Sequence, residues 1–371
     1  MDGTFACIAG GGTAGHLLPG MAVAEALVAA GHPRSSIHFV GGSHGPEAVT
    51  VSAAGYPLTM LPGRGIPRAL SWRSVTAAVG VARGTLSGIG LVRRLRPRVV
   101  VVLGGYAAVP CVIGAIIWRV PMVILEQNAR AGAANRLAGR FAAAAAVPFA
   151  ETDLRRSVVT GNPVRPEILA VDRERDHAAA QRRLGLPPGR TVVAVFSGSL
   201  GSGRINRAVR GLVGPWGDRA ELAIHHVVGA RDWDAAAADL PVMPEGGLWY
   251  RAVRYEDRMP DLLAAADIVV SRAGGSTVAE LSQVGVGAVL VPLPIAPRDH
   301  QTANAEVLVR AGAAVLVPDG ELDAGRLATE LDALLGQPGR LSAMAAAAHT
   351  LARPDAAKRV AALVEEHARR G

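Results

Sequence analysis

The segment Gly10-Gly11-Gly12-Thr13-Ala14-Gly15-His16 constrains this chain more than any other, because it turns a short apolar run directly into a helix. Thr4 to Ala9 is rich in strand-forming residues, and Leu17 to Ala30 reads as a helix started through Pro19 and ended by Gly31. Glycines let the backbone approach a ligand, and the first-turn N–H groups of the helix point at it. The turn therefore predicts an anion site, usually for a phosphate, with a tight turn that holds no ligand as the plainer alternative. Gly10, Gly12 and Gly15 also satisfy G-x-G-x-x-G, the spacing of dinucleotide-binding folds. That reading needs an acidic residue at the end of the second strand, and Ile37 to Val40 runs instead into Gly41-Gly42-Ser43-His44. The phosphate stays in the reading and the nicotinamide leaves it.

Strands are expected near 4–9, 37–40, 57–61, 99–103, 121–125 and 143–147, with helical runs between them. This alternation is the signature of α/β architecture with a parallel sheet. Ligands of such sheets sit at the carboxyl ends of the strands, where Gly10 to His16, Gly104-Gly105-Tyr106 and Glu126-Gln127-Asn128 fall. A hinge is expected at Gly161-Asn162-Pro163, beyond which the pattern restarts. Strand Thr191 to Phe196 leads into Ser197-Gly198-Ser199-Leu200-Gly201-Ser202-Gly203 and a helix, a second Rossmann-like half facing the first. The boundaries read as an N-terminal domain 1–163 and a C-terminal domain 164–352, with the amphipathic helix 353–371 returning to the first.

With 371 residues, half of them hydrophobic, the chain can fill two cores. Its net charge of +8 rests on arginine, Lys358 being the sole lysine, and favours anionic partners such as lipid or phosphorylated substrates. Cys7 and Cys111, both in apolar segments, suggest neither a disulfide framework nor a zinc site and fit a reducing compartment. Asp2 and the lack of a basic start argue against a secretory signal. Val99 to Trp118 is uncharged and long enough to span a bilayer, yet Gly104-Gly105 and Pro110 divide it into a strand, a turn and a helix. Ile66 to Arg98 interleaves apolar residues with eight arginines from Arg64 onward, a pattern shared by a membrane-surface face and by an ordinary helix covering a sheet.

In the second half, Asp267 to Ser271 is a buried strand opening into Arg272-Ala273-Gly274-Gly275-Ser276-Thr277, a further phosphate cradle. Glu280 has two readings: it closes a capping box with Thr277, or it accepts hydrogen bonds from a ribose diol. Arg298 to Asn304 begins a helix whose polar side chains, His300 and Gln301 among them, either read a sugar or form a solvated first turn.

Two facing Rossmann-like halves with three glycine turns describe the GT-B glycosyltransferase fold. The motifs Gly10 to Gly20, Gly104 to Pro110, Glu126 to Asn135, Val159 to Arg165, Ser197 to Asn206, Ser271 to Glu280 and His300 to Ala305, in this order, resemble the MurG family. Members add N-acetylglucosamine from UDP-N-acetylglucosamine to undecaprenyl-pyrophosphoryl-N-acetylmuramoyl pentapeptide at the cytoplasmic face of the bacterial membrane. The resemblance implies that Gly12, Thr13, Gly15 and Tyr106 line the acceptor side, with His16 as general base. On the donor side it implies Thr13 and Gly15 again, Asn128 on the sugar, Arg165 at the nucleotide end, and Ser199 and Asn206 in the diphosphate and sugar region. Tyr255 and Glu256 would hold the uracil through their backbone. Ala273, Gly274, Gly275, Ser276 and Thr277 would surround the diphosphate, Glu280 would take the ribose, and His300 and Gln301 the sugar hydroxyls. The resemblance implies no cofactor, no metal and no nucleic acid, and a basic, apolar segment with Trp72 and Trp118 against an anionic membrane surface. Departures from the family pattern are Ala14 for a glycine, Leu200 for a glutamine and His300 for the first of a glutamine pair. A GT-B transferase with another acceptor and a UDP-sugar epimerase share the architecture and stand as alternatives.

Overall fold

The structure, a computed structural model, describes residues 3–42, 47–62, 72–198, 200–238 and 240–370, with 72–82 described by backbone alone. Ser199, the residues from Arg64 to Leu70 and the side chain of Trp72 thus lie outside the described residues. The chain forms two compact units, Met1–Arg165 with Arg353–Gly371, and Pro166–Ala352.

Unit 1 is built on β1 (Ala6–Gly10), β2 (Ile37–Gly42), β3 (Leu58–Leu61), β4 (Val99–Gly104), β5 (Met122–Leu125), β6 (Ala144–Val147) and β7 (Ser157–Val159), all parallel, in the order 3-2-1-4-5-6-7. Unit 2 is built on β8 (Thr191–Phe196), β9 (Leu222–Val227), β10 (Trp249–Val253), β11 (Ile268–Ser271), β12 (Gly287–Leu290) and β13 (Ala314–Leu316), also parallel, in the order 10-9-8-11-12-13. Helices cover both faces of such sheets, so the central strands read as continuous apolar runs with no alternation. Val99 to Leu103, all buried, are the clearest case. Strand order reverses between β1 and β4 in one unit and between β8 and β11 in the other. Each reversal opens a crevice at the carboxyl ends of the strands.

The helix after β1 differs from its expected start. It spans Ala14–Ala29 with Thr13 as N-cap, so Pro19 is its sixth residue and does not open it. Ala14 is the first helical residue and has no positive φ, so alanine replaces the family's glycine there without backbone strain. The stretch 99–118 is β4, a turn, and the helix Ala108–Ile117. Among the described residues, no helix is long and apolar enough to cross a membrane. Cys7 and Cys111 are buried free thiols in one core cluster.

The helix Ala356–His367 returns to unit 1, where Val360, Ala361, Leu363 and Val364 join the core formed by Ile8, Leu27, Val101 and Val123. Burying such side chains contributes about 1.5–3 kcal/mol each for the larger ones. Glu365 Oε1 meets His32 Nε2 at 2.9 Å, and the His32 ring stacks on Phe5 with centroids 3.6 Å apart.

Candidate active site

In unit 1, β1 ends in a turn that only glycine can make. Gly11 has φ +136°, and a Cβ on it would lie 1.8 Å from Glu47 Oε1. The turn is seated against the end of β4, where Gly11 N donates to Gly104 O at 3.3 Å. Gly12, Thr13 and Gly15 are exposed at the head of the helix, and His16 follows half-buried. His16 Nδ1 lies 2.9 Å from Thr13 Oγ1, which orients the ring. Burial lowers the His16 pKa and the Glu47 charge opposes that shift, the burial effect being the larger. The turn is not an empty anion cradle, because the Gly12 N–H is already taken by the Glu47 carboxylate.

His16 sits against the turn that ends β4. A Cβ on Gly104 would come within 3.2 Å of Asn135 Nδ2 and 3.4 Å of His16 Cδ2, so these side chains crowd one spot. Tyr106 follows two residues later, its hydroxyl buried with no hydrogen-bond partner among the described residues and its pKa raised by burial. Asn128 is set by Glu126, a carboxylate placed just past the apolar β5 and 2% exposed. Glu126 Oε1 accepts from Gln127 N (3.0 Å), Asn128 N (3.0 Å) and Asn128 Nδ2 (3.1 Å). Its Oε2 accepts from Gly132 N (3.1 Å) and Asn135 Nδ2 (2.8 Å). The carboxylate thus folds residues 126–135 around itself. Arg165, half-buried, is the last residue of the first segment of unit 1.

In unit 2, β11 runs into the helix Gly275–Val284, with Gly274 as N-cap. The capping-box reading of Thr277 and Glu280 does not hold, because the helix starts before Thr277 and places it at the third helical position. Gly275, Ser276 and Thr277 are thus its first three residues, the part of a helix whose N–H groups suit an anion. Ala273, fully buried, is gripped from the helix His300–Arg310. Gln301 Oε1 accepts from Ala273 N (3.2 Å) and Leu293 N (3.0 Å), and Asn304 Nδ2 donates to Ala273 O (3.0 Å). The Gln301 carbonyl is therefore committed to the loop. His300 is half-buried at the start of the same helix.

Two predicted donor residues have their side chains turned inward. Asn206 is 5% exposed, its Nδ2 donating to Val228 O (3.1 Å) and Asp232 Oδ2 (3.0 Å) and its Oδ1 lying 3.0 Å from His226 Nε2. Its side chain is spent on the protein, so it shapes the turn after β8 and does not reach out of it. His226, whose pKa burial holds at about 4, also meets Tyr250 Oη at 3.0 Å. Glu256 is 7% exposed, with Oε2 3.1 Å from His225 Nε2 and Oε1 accepting from Arg258 N at 2.9 Å. Only its backbone faces the loop, while Tyr255 beside it is 60% exposed.

Sequence reasoning missed two supporting residues. Arg272 donates to Val291 O and Pro292 O (3.0 Å each) and to Ser202 Oγ (2.6 Å), and pairs with Asp319 at 2.7 Å. It ties the turn after β11 to the turn after β8, and an arginine following directly on a buried strand was the available signal. Glu47 stands in no motif and gave none.

Residues 6–147 match the model of the glycosyltransferase family 28 N-terminal domain, and residues 192–360 that of the family 28 C-terminal domain. Two parallel α/β units, each with a ligand turn where its strand order reverses, make a glycosyltransferase of the GT-B fold. A UDP-N-acetylglucosamine–N-acetylmuramyl-(pentapeptide) pyrophosphoryl-undecaprenol N-acetylglucosamine transferase of Alkalilimnicola ehrlichii is 41% identical, covering 98% of both chains. The protein of that name from Desulforudis audaxviator is 36% identical, again over 98% of both. The crystal structure of Acinetobacter baumannii MurG superposes with a TM-score of 0.76 at 26% identity, over 98% of this chain and 99% of that one. The chain belongs to the MurG family. A putative UDP-N-acetylglucosamine 2-epimerase from Listeria monocytogenes, at 16% identity and a TM-score of 0.68 over 99% of this chain and 97% of that one, shares the fold alone.

Proposed function

We propose that the protein moves N-acetylglucosamine from UDP-N-acetylglucosamine to the C4 hydroxyl of the muramoyl sugar of undecaprenyl-pyrophosphoryl-N-acetylmuramoyl pentapeptide, with inversion. The observation that carries this reading is the match to transferases of that name along both units, turns included. The C4 oxygen attacks C1 of the donor, its proton passes to His16, and UDP leaves. Charge on the departing diphosphate is met by the N–H groups of Gly275, Ser276 and Thr277 and by Arg165, so much of the rate comes from positioning and fixed dipoles. Gly12, Thr13, Gly15 and Tyr106 receive the acceptor. Asn128, Ser199, Asn206, Tyr255, Glu256, Ala273, Gly274, Glu280, His300 and Gln301 form or shape the donor site.

Incubation of the purified protein with both substrates is expected to release UDP in step with formation of the disaccharide lipid, equally with and without a chelator. UDP release without acceptor, conversion of the donor to its epimer, or transfer to a different lipid acceptor alone would each overturn the assignment.

The acceptor is lipid-linked, and the same reading places the protein on the cytoplasmic face of the membrane through unit 1. Leu86, Ile117 and Phe141 are 70%, 51% and 55% exposed, well beyond what a core-facing residue shows. Trp118 lies under the Arg93 guanidinium at 5.2 Å, and Arg119, Arg369 and Phe141 line one hollow beside it. Apolar side chains ringed by arginines suit an anionic bilayer surface, each cation adding about 1 kcal/mol. The triple variant Leu86→Glu, Ile117→Glu, Phe141→Glu is expected to bind phosphatidylglycerol vesicles at least about tenfold more weakly in co-sedimentation. Unchanged binding would remove this face from the reading.

A further inference from the structure

The glycine turn that leads into His16 holds a carboxylate to which the reaction above gives no part. Glu47 opens the helix Glu47–Ala53 and is 1% exposed, although carboxylates are almost never fully buried without a partner. Its Oε1 accepts the Gly12 N–H, while Oε2 is buried with no hydrogen-bond partner among the described residues. The space it fills is the space that glycine leaves at position 11, and Gly41 lies on its other side, where a Cβ would come 2.9 Å from Glu47 Cγ. One neutral acceptor would hold the Gly12 N–H equally well. What a carboxylate can add beyond an acceptor is a negative charge, in a site where a charge costs several kcal/mol to bury.

That charge has one evident recipient. Thr13 Oγ1 and Asn135 are the neutral groups against the His16 ring, and Glu47 is the carboxylate seated on the turn that leads into it, at Gly11 and Gly12. A buried imidazole is a poor proton acceptor, since its cation is desolvated, and a nearby negative charge restores it. We propose that Glu47 is a positioning residue for the transfer reaction: it fixes the glycine turn through Gly12 and keeps a negative charge behind His16, which stabilises the imidazolium formed as the C4 hydroxyl attacks. The inference rests on His16 being the general base.

Its test is the pH profile of kcat for the full chain and for the variants Glu47→Gln, Glu47→Met and His16→Gln, with circular dichroism as the check on folding. Gln keeps an acceptor for Gly12 N–H, Met keeps the volume, and both remove the charge. The expected result is a plateau kcat about tenfold lower, an unchanged KM for UDP-N-acetylglucosamine, and an acid limb displaced to lower pH, because the imidazolium has lost its support. A variant that folds and keeps the acid limb of the parent protein overturns the proposal, whatever its rate. Failure of both uncharged variants to fold makes Glu47 a folding residue and overturns it too. His16→Gln separates the two inferences: if it retains both rate and acid limb, the assignment of the base falls, whereas loss of the limb in His16→Gln with no displacement in Glu47→Gln removes Glu47 alone.

Discussion

His16→Ala is expected to lower kcat by about 10² to 10⁴ fold, the usual contribution of a positioned general base. The KM for the donor should change little. The tautomer with its proton on Nδ1 donates to Thr13 Oγ1, 2.9 Å away, and leaves the Nε2 lone pair for the acceptor hydroxyl. Its place in the first turn of Ala14–Ala29 adds the positive end of the helix dipole, which favours the neutral ring. Burial acts in the same direction, so the folded pKa lies below 6.5. The base is then neutral at cytoplasmic pH, and activity is lost as pH falls through that lowered value. Since His16 is half-buried and outside the core clusters, the variant should melt as the parent protein does. A kcat close to that of the parent would require a different base.

Glu126→Ala should have the largest effect on stability. The carboxylate satisfies five donors from Gln127, Asn128, Gly132 and Asn135 in an enclosed site, and its removal strands them. Stranding several buried donors costs about 3–5 kcal/mol, comparable to breaking a buried pair. For a unit of this size that corresponds to a melting temperature on the order of 10 °C lower. The KM for UDP-N-acetylglucosamine should rise with it, since Glu126 holds Asn128 by both its backbone N and its Nδ2. Calorimetry and donor saturation curves test both halves, and an unchanged melting temperature would mean that water or another group replaces the carboxylate.

These two residues differ in how far the sequence revealed them. His16 was legible because a glycine turn between an apolar strand and a helix announces a ligand, and the residue at the helix mouth is then conspicuous. Glu126 was quoted as part of a polar turn, but five hydrogen bonds to one carboxylate follow from loop closure, which spacing does not encode. The central strands were legible from apolar runs buried on both faces, whereas β7, whose residues are all exposed, lacked that signal, and β9, β10 and β13 were not named from the sequence. Pro19 misled because a proline usually sits in the first turn of a helix. Here Thr13, extended at φ −144° and ψ 154°, caps a helix that begins at Ala14, three residues before the expected Leu17. Asn206 was named on the donor side through the resemblance, and its bonds to His226, Asp232 and Val228 O show its side chain to be occupied within the protein. Glu47 was illegible for a simple reason: it is 35 residues from the N–H it accepts.

The helix Ala356–His367 has a consequence in time. Residues 353–371 complete a core whose strands lie before residue 165, and the whole of unit 2 is synthesised in between. At bacterial translation rates the 187 residues of Pro166–Ala352 take roughly 10–40 s to emerge. During that interval Ile8, Leu27 and Val123 lack the apolar cover of Val360 and Val364. The unit begun first is therefore the last to close, and the nascent chain carries an open apolar face on unit 1 while unit 2 is already able to fold.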